Sequence, residues 1–182
     1  FRKPRLWFGA SDESGLTNLV LEDLSAKTRP GDQIAGCSID EARAVIRELA
    51  AFHLAWWENE EALSRNWLID HGDMTPLFNA GADKLGPWLA SRIPAEDLAL
   101  VEAFRARTGA WLAAPAKRRT LIHSDPRVDN ILFEDTPEGV AAWIIDWQLP
   151  RAGDPQHDLA YFLSGSVSPK DGIRVVSINP GP

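Results

Sequence analysis

Apolar residues between positions 39 and 58 recur at intervals of three and four, which places them on one face of a helix. The residues Ser38-Ile39-Asp40-Glu41 form a capping-box pattern, in which two side chains satisfy the first amides of a helix. The pattern therefore predicts a long amphipathic helix that begins at Ile39 and ends near Glu58. Its apolar positions are Ala42, Val45, Ile46, Leu49, Ala50, Phe52, Ala55 and Trp56.

The segments around this helix have other patterns. The apolar stretches Leu6-Trp7-Phe8 and Leu19-Val20-Leu21 flank a turn-rich segment and predict an antiparallel strand pair. Residues 25–37 are polar and contain Pro and Gly, which predicts a linker. Repeated Gly and Pro between positions 59 and 92 predict only short helices there. Pro94 starts a further helical pattern that ends before Pro115.

The C-terminal third changes to strand-like segments. These are Thr120-Leu121-Ile122, Ile131-Leu132-Phe133 and Val140 to Ile145, and a turn at 134–139 separates the last two. No internal repeat is present. The chain is therefore predicted to be α+β, with a hairpin followed by a mostly helical body that carries a short β insert.

Length and charge restrict the classes of function. The chain has 182 residues, enough for one good-sized core, and its net charge is −7 with 19 basic and 26 acidic residues. This balance gives no basic surface for nucleic acid. Cys37 is the single cysteine, and the apolar run from Val140 to Ile145 is far below the ~20 residues that cross a bilayer. We expect a soluble, cytoplasmic protein without a membrane partner.

The polar loop between the predicted strands Thr120-Leu121-Ile122 and Ile131-Leu132-Phe133 carries the candidate chemistry. It reads His123-Ser124-Asp125-Pro126-Arg127-Val128-Asp129-Asn130, with the His, Asp and Asn spacing of a kinase catalytic loop. Phosphoryl transfer needs a carboxylate to accept the proton of the attacking hydroxyl and an oxygen ligand for Mg²⁺. Asp125 suits the first role and Asn130 the second.

Two further aspartates follow. Asp146 comes directly after an apolar strand, sixteen residues beyond Asn130, and is the principal predicted magnesium ligand. Asp158, in the segment Gly153-Asp154-Pro155-Gln156-His157-Asp158, precedes an apolar helical pattern. We expect Asp158 to accept backbone amide hydrogen bonds and to support the site structurally.

Taken in order, HSDPRVDNILF, IIDWQ and GDPQHDLAYFL resemble the aminoglycoside phosphotransferase and choline kinase-like superfamily, including its ecdysteroid kinase-like branch. The resemblance implies a protein kinase-like fold, ATP and Mg²⁺ as cofactors, and transfer of the γ-phosphate to a hydroxyl of a small molecule. Asp125 matches the family's catalytic base, and Asn130 and Asp146 match its metal ligands. Ser124 departs from the His-Gly-Asp sequence that is usual there.

The resemblance also implies a domain arrangement. Residues 1–24 match the end of the N-lobe sheet and the hinge, where the backbone of Leu21, Glu22 and Leu24 would bind the adenine. Residues 25–37 would be a linker, residues 38–166 the C-lobe, and residues 167–182 an atypical, disordered tail. The glycine-rich loop and the strand lysine of complete kinases are absent, so we expect a fragment that lacks most of the N-lobe and has weak or no activity alone.

Two alternatives stay open. One is a noncatalytic kinase-like remnant or binding module, and the other is a metal-dependent hydrolase that uses His123, Asp125 and Asp146. The remaining conspicuous side chains have simpler interpretations. We expect structural roles for His53, His71 and His123, core packing for Trp56 and Trp57, and a solvated face for Glu60 and Glu61. The acceptor and the oligomeric state do not follow from the sequence.

Overall fold

The computed structural model describes residues 1–69, 72–114 and 116–168. The chain forms two compact units: the first combines Phe1–Leu68 with the chain from Arg118 onward, and the second is Ile69–Lys117. His71 and the tail from residue 169 lie outside the described residues. The elements, in chain order, are β1 (Leu6–Ser11), β2 (Thr17–Leu21), β3 (Arg29–Pro30), α1 (Ile39–Ala55), α2 (Glu60–Leu63), α3 (Thr75–Leu89), α4 (Ala95–Arg105), α5 (Thr108–Leu112), β4 (Thr120–Ile122), β5 (Ile131–Thr136), β6 (Gly139–Ile144), β7 (Arg151–Gly153) and α6 (Gln156–Ser166).

Helix α1 begins where the sequence predicts. Ser38 is its N-cap, the Ser38 hydroxyl accepts the amide of Glu41, and the Glu41 carboxylate accepts the amide of Ser38. This reciprocal bonding satisfies two amides that a helix start otherwise leaves unpaired. The helix ends at Ala55, three residues before the predicted end.

The strands of the first unit form three small antiparallel sheets. β1 pairs with β2, as predicted, and all their residues are exposed. The second sheet has the order β3-β5-β6, and the third pairs β4 with β7. β3 lies in the predicted linker: Arg29 pairs with Phe133 and Pro30 with Leu132. The linker pattern missed this strand because a two-residue strand has no periodicity.

The core of the first unit lies where the apolar face of α1 packs against the β5–β6 hairpin and α6. This packing places the site loop, which runs from β4 to β5, at the edge of the largest core cluster. The buried residues of that cluster are Ala42, Ala44, Val45, Leu49, Val128, Ile131, Phe133, Ala142, Ile144, Phe162 and Val167. A second cluster contains Phe52, Leu63 and Leu121, with Trp56 and Trp147 packed against it.

Trp56 therefore packs against a core cluster, as predicted, whereas Trp57 is 41% exposed and does not behave as a core residue. Trp57 follows the end of α1, where the helical period no longer holds its side chain on the buried face. Trp56 also lines a cavity of about 260 Å³ together with Trp67 and Leu121. Glu60 and Glu61 are exposed, as predicted.

Two predictions for the second unit were wrong. Helix α3 is 15 residues long, although only short helices were expected, and it contains Gly81, Gly86 and Pro87. Each glycine costs a helix about 1 kcal/mol relative to alanine, but Pro87 lies in the last turn and contacts with α4 stabilise the helix. In those contacts, Arg105 lies 2.6 Å from the Asp83 carboxylate. The Phe78 and Phe104 rings pack edge to face at 5.5 Å.

The helical pattern that starts at Pro94 is broken into α4 and α5. The break falls at Ala106 and Arg107, where the Arg107 amide bonds to the Phe104 carbonyl three residues back. Such a tightened turn ends a helix without any Gly or Pro, so the sequence carries no signal for it. In the described part of the chain, no helix is long and apolar enough to span a bilayer.

Candidate active site

The loop between β4 and β5 folds back on itself through its own backbone. The Arg127 amide donates to the Asp125 carbonyl at 2.9 Å, and the Asn130 amide donates to the Arg127 carbonyl at 2.9 Å. Residues Val128–Asn130 form one 3₁₀ turn that leads directly into β5. The turn brings Asp125 and Asn130, the two predicted site residues of this loop, close together.

Asp125 and Asn130 are in direct contact. The Asn130 side-chain amide donates to the Asp125 carbonyl at 2.9 Å and to the Asp125 Oδ2 at 3.2 Å. Asn130 is 7% exposed, so its side chain is held in this orientation. Asp125 uses the amide nitrogen of Asn130, and the amide oxygen has no hydrogen bond to another described residue. This oxygen is therefore available as a ligand.

Asp146 lies beside Asn130 because β6 pairs with β5. The Ile145 amide donates to the Asn130 carbonyl at 3.0 Å, which extends the β5–β6 pairing by one step. The next residue, Asp146, has a φ of 62° and is in the left-handed region that Asp tolerates better than most residues. Among the described residues, Gln148 alone donates a side-chain hydrogen bond to its carboxylate, at 3.3 Å. The structure thus brings the three sequence-predicted residues Asp125, Asn130 and Asp146 to one edge of the hairpin.

The donor set at this edge fits a hard divalent cation. Asn130 and Asp146 offer an amide oxygen and a carboxylate on neighbouring chain segments, and Mg²⁺ is commonly held by one or two such protein ligands together with substrate phosphates. Among the residues that the structure describes, no group of three or more His, Cys, Asp or Glu side chains is arranged to hold a metal ion. One amide oxygen and one carboxylate leave most of the six coordination positions of Mg²⁺ to other ligands, such as water and phosphate oxygens.

His123 is held by both ring nitrogens. Nε2 lies 2.9 Å from the Ile145 carbonyl and donates to it, while Nδ1 accepts the Asp125 amide at 3.3 Å. The ring is fully buried and packs against Trp147 at 4.6 Å. With both nitrogens engaged, His123 is a poor metal ligand, which argues against the hydrolase alternative.

The Asp158 carboxylate holds the start of the loop through hydrogen bonds. Its carboxylate accepts the amide of His123 at 2.8 Å and the amide of Ser124 at 2.9 Å, the type of contact that the sequence predicts. Nε2 of His53 lies 2.9 Å from the same carboxylate. Both side chains are buried, with 5% of His53 and 0% of Asp158 exposed. Asp158 thus links α6, α1 and the loop.

The partnership of His53 with Asp158 was missed by the sequence analysis. A signal was present, since His53 falls on the apolar face of α1, four residues after Leu49. A polar side chain on a buried face needs a buried partner. The sequence does not say which residue that partner is, because 105 positions separate His53 from Asp158.

Two arginines and a tyrosine also contact the loop. Arg127 Nε lies 3.3 Å from the Asp125 carboxylate, an ion-pair distance without hydrogen-bond alignment, and Arg127 also pairs with Asp129 at 3.5 Å. Arg151 donates from Nε to the Ser124 hydroxyl at 3.2 Å. Partial burial raises the pKa of Tyr161, and its hydrogen bond with Asp125 raises it further. None of these three was predicted as a site residue.

The predicted hinge follows β2. The Glu22 amide donates to the Arg5 carbonyl at 2.8 Å, and the Leu24 carbonyl accepts the amides of Lys27 and Thr28. Leu21 is the last residue of β2 and pairs with Leu6. The Glu22 carbonyl and the Leu24 amide have no hydrogen bond in the described part of the chain. One backbone acceptor and one backbone donor thus lie two residues apart on this segment.

The apolar face of α1 packs against the β5–β6 hairpin and α6, and the aspartate-bearing loop lies at the hairpin edge; this arrangement belongs to a kinase-like fold. The chain belongs to the ecdysteroid kinase-like family, whose sequence profile matches residues 7–174. This result confirms the resemblance that the three motifs indicate.

Solved structures confirm the α+β, kinase-like fold. Choline kinase LicA from Streptococcus pneumoniae superposes with a TM-score of 0.54 at 16% identity, over 96% of this chain and 55% of that chain. The aminoglycoside-3'-phosphotransferase of type VIII gives a TM-score of 0.52 at 18% identity, over 94% of this chain and 60% of that one. A choline/ethanolamine kinase family protein from Mesorhizobium loti gives 0.51 at 17% identity, over 96% of this chain and 55% of that chain.

Curated relatives match shorter stretches. Acyl-CoA dehydrogenase family member 11 from Gallus gallus is 34% identical over 79 residues, which is 43% of this chain and 8% of that protein. The probable acyl-CoA dehydrogenase IBR3 from Arabidopsis thaliana is 32% identical over 97 residues, 53% of this chain and 10% of that protein. The chain thus spans a tenth or less of these relatives and 55–60% of the solved structures above.

Proposed function

We propose that this chain is the catalytic part of an ATP- and Mg²⁺-dependent kinase that phosphorylates a hydroxyl of a small molecule. The observation that carries the proposal is the grouping of Asp125, Asn130 and Asp146 at one edge of the β5–β6 hairpin. Family membership and the fold support a phosphotransferase of the choline kinase and aminoglycoside kinase type.

Asp125 would act as the general base. Its Oδ2 accepts from Asn130, and its Oδ1 lies 3.3 Å from Nε of Arg127 without an aligned hydrogen bond. An ionised carboxylate has about four lone-pair sites, so Asp125 can still accept a proton beside these contacts. In the reaction, the acceptor oxygen forms a bond to the γ-phosphorus, its proton passes to Asp125, and the bond to the departing ADP breaks. A positioned base of this kind is worth about 10²–10⁴ in rate.

Asn130 and Asp146 would hold Mg²⁺, through the free amide oxygen of Asn130 and the carboxylate of Asp146. When bound, the ion neutralises charge on the phosphate oxygens. The Asp158 carboxylate would keep the loop amides of His123 and Ser124 in place, so it acts on the site through the backbone.

The nucleotide would reach the site from the hinge. Adenine presents a hydrogen-bond donor next to an acceptor on one edge, and the Glu22 carbonyl and Leu24 amide supply the complementary groups. A solved complex of LicA with AMP, which has the same fold at a TM-score of 0.52, supports nucleotide use in this architecture. Leu21 would contribute only as the end of the strand that leads into the hinge.

The metal site can be tested without turnover. Mn²⁺ should broaden the NMR signals of residues 125–130 and 146 first, because a paramagnetic ion acts on nearby nuclei. Asp146→Asn should weaken this broadening, whereas Asp135→Asn, at a side chain that is 79% exposed, should leave it unchanged. Broadening centred on Glu60 and Glu61 or on Glu96 and Asp97 would refute the site.

The reaction is tested by ATP consumption, with an acceptor panel, in the 182-residue chain and in the complete product of its gene. The panel contains choline, ethanolamine, an aminoglycoside, a hydroxylated sterol and, because the curated relatives are named for acyl-CoA, a hydroxyacyl-CoA. Asp125→Asn should lower acceptor-dependent turnover by about 10²–10⁴ while it changes ATP affinity less. Nucleotide binding without acceptor-dependent turnover by either protein would favour the noncatalytic alternative.

A further inference from the structure

Arg151 lies beside the residue that precedes the candidate base. It is the first residue of β7, and its backbone pairs with Ile122 across the β4–β7 sheet. This register points its guanidinium at the loop, where Nε donates to the Ser124 hydroxyl at 3.2 Å. Nη2 lies 3.2 Å from Nε2 of His157.

The positive charge of Arg151 is only partly compensated. No described Asp or Glu lies within ion-pair distance of its guanidinium, and burial lowers its pKa while the more distant Asp158 acts in the opposite direction. The Asp158 carboxylate is already engaged by the loop amides and by His53. A half-buried cation without a close counter-ion is unfavourable, so the site favours an anion that arrives from outside.

Arg127 contrasts with Arg151. Its guanidinium pairs with both Asp125 and Asp129, the two carboxylates of the loop that could attract a cationic ligand. The two loop carboxylates are therefore compensated by Arg127, whereas the Arg151 guanidinium on β7 has no close carboxylate partner among the described residues. This distribution disfavours an acceptor with a positive group and favours one with a negative group.

The geometry of the donors suits an oxyanion. Nη1 of Arg151 has no hydrogen bond within the described residues, and Nη1 and Nη2 together present the parallel N–H pair that binds carboxylate or phosphate oxygens. The Ser124 hydroxyl accepts from Nε of Arg151, so its own proton is free to be donated. These groups form a compact donor set one residue away from Asp125.

Tyr161 connects this donor set to the base. It lies one helical turn after His157 on α6, and the two rings stack with centroids 6.3 Å apart. Its hydroxyl interacts with the Asp125 carboxylate. The rings of His157 and Tyr161 thus line the surface between Arg151 and Asp125.

We infer that the acceptor carries an anionic group, a carboxylate or a phosphate, which binds Arg151 and the Ser124 hydroxyl while the reacting hydroxyl lies at Asp125. The inference rests on the proposed function and narrows its substrate class. Arg151 and Ser124 are then specificity-determining residues, and acceptors with a cationic group are disfavoured.

Binding is tested first, without nucleotide or turnover. Glycolate and methyl phosphate are titrated separately into the ¹⁵N-labelled chain, and shifts are expected at Ser124, Arg151 and His157. The probe that binds more tightly identifies the anionic group as carboxylate or phosphate. Arg151→Gln should weaken the affinity at least about tenfold, since a charged hydrogen bond is worth about 1.5–3 kcal/mol, and Arg151→Lys should weaken it less.

The matched control is Arg43→Gln, at a side chain that is 54% exposed on α1, which should bind both probes as the wild type does. If Arg151→Gln does not fold, as judged by its melting curve, Ser124→Ala serves instead and should weaken binding several-fold. Shifts that map elsewhere, or unchanged affinity in the folded Arg151 and Ser124 variants, would overturn the inference.

Turnover then separates the inference from the proposed function. Ethanolamine, ethylene glycol and glycolate are small hydroxyl compounds that differ mainly in charge. Glycolate should give the largest kcat/KM, and Arg151→Gln should raise the KM for glycolate more than that for ethylene glycol. Turnover with ethanolamine in preference to glycolate would overturn the inference and keep the kinase. Absence of Mn²⁺ broadening at Asp146, together with no turnover on any acceptor, would refute the kinase itself.

Discussion

Replacement of Asp158 by alanine should destabilise the whole first unit, although this residue would touch neither nucleotide nor acceptor. The carboxylate is fully buried and accepts the amides of His123 and Ser124 and the ring nitrogen of His53. The substitution leaves these three donors without an acceptor in a closed environment. The amides of His123 and Ser124 lose the acceptor that holds them next to Asp125.

The magnitude follows from the donors. A buried donor left unsatisfied costs about 1–3 kcal/mol, and removal of one partner from a buried pair costs about 3–5 kcal/mol in total. We expect Asp158→Ala to lie in the second range, because three buried donors lose their shared acceptor at once. For a chain of this size, each kcal/mol lowers Tm by about 2–4 °C, so Tm should fall by at least about 6 °C.

The assay is urea unfolding, followed by tryptophan fluorescence, together with hydrogen exchange at residues 123–130. Trp147 is one of the eight tryptophans and contributes a signal from the site, since its ring packs 4.6 Å from that of His123. Asp158→Asn keeps the shape and one acceptor oxygen, so it should cost less than the alanine variant but more than about 1 kcal/mol. Asp135→Ala, at an exposed carboxylate, is the control. A change below about 0.5 kcal/mol for Asp158→Ala, or unchanged exchange in the loop, would refute the anchoring role.

Four further measurements probe the packing within each of the two units. Gly31→Ala should destabilise the protein by more than about 1 kcal/mol in urea unfolding, because a Cβ there would lie 2.1 Å from the Val128 carbonyl oxygen; a neutral result would contradict this packing. Gly81→Ala, where nothing lies within 4 Å, should stabilise α3 by about 0.5–1 kcal/mol in the same assay. Burial, with a smaller effect of Glu41, raises the pKa of Cys37 to about 11. At pH 8, iodoacetamide should therefore react ~100-fold more slowly with the folded protein than with the unfolded protein. Equal rates would contradict the burial of Cys37. Because the folded thiol keeps its proton longer, stability should fall as the pH rises from about 9 to about 11.

The sequence predicts best where the relevant contacts are local. The capping box at Ser38, the β5–β6 hairpin and the approach of Asn130 to Asp125 all depend on residues within a few positions of one another. Asp146 is also accessible from the sequence, since it follows a buried strand that pairs with the one after the loop. Local spacing alone therefore brings the three principal candidate residues together.

The sequence predicts worst where tertiary contacts decide. Helix α3 forms in spite of its glycines because contacts with α4 stabilise it, and β3 exists only because β5 is available for pairing. The bond between His53 and Asp158 spans 105 positions, and that between Arg151 and Ser124 spans 27. Propensity and periodicity carry no information at such separations, so these residues become visible only in the fold.

The hydrogen bond from Arg151 to Ser124 gives a physical reason for a serine at position 124. Ser124 has a φ of 74°, in the left-handed region, which costs a residue with a Cβ about 1–2 kcal/mol. The glycine that is usual at this position in the similar kinases would avoid that cost. What serine adds is a hydroxyl, which accepts a hydrogen bond from Arg151 at the point where the loop reaches Asp125. The bond offsets part of the backbone cost and fixes the guanidinium beside the base. Ser124, which departs from the family motif, and Arg151, which lies outside that motif, therefore form one structural unit. This unit lies where we propose that the acceptor binds.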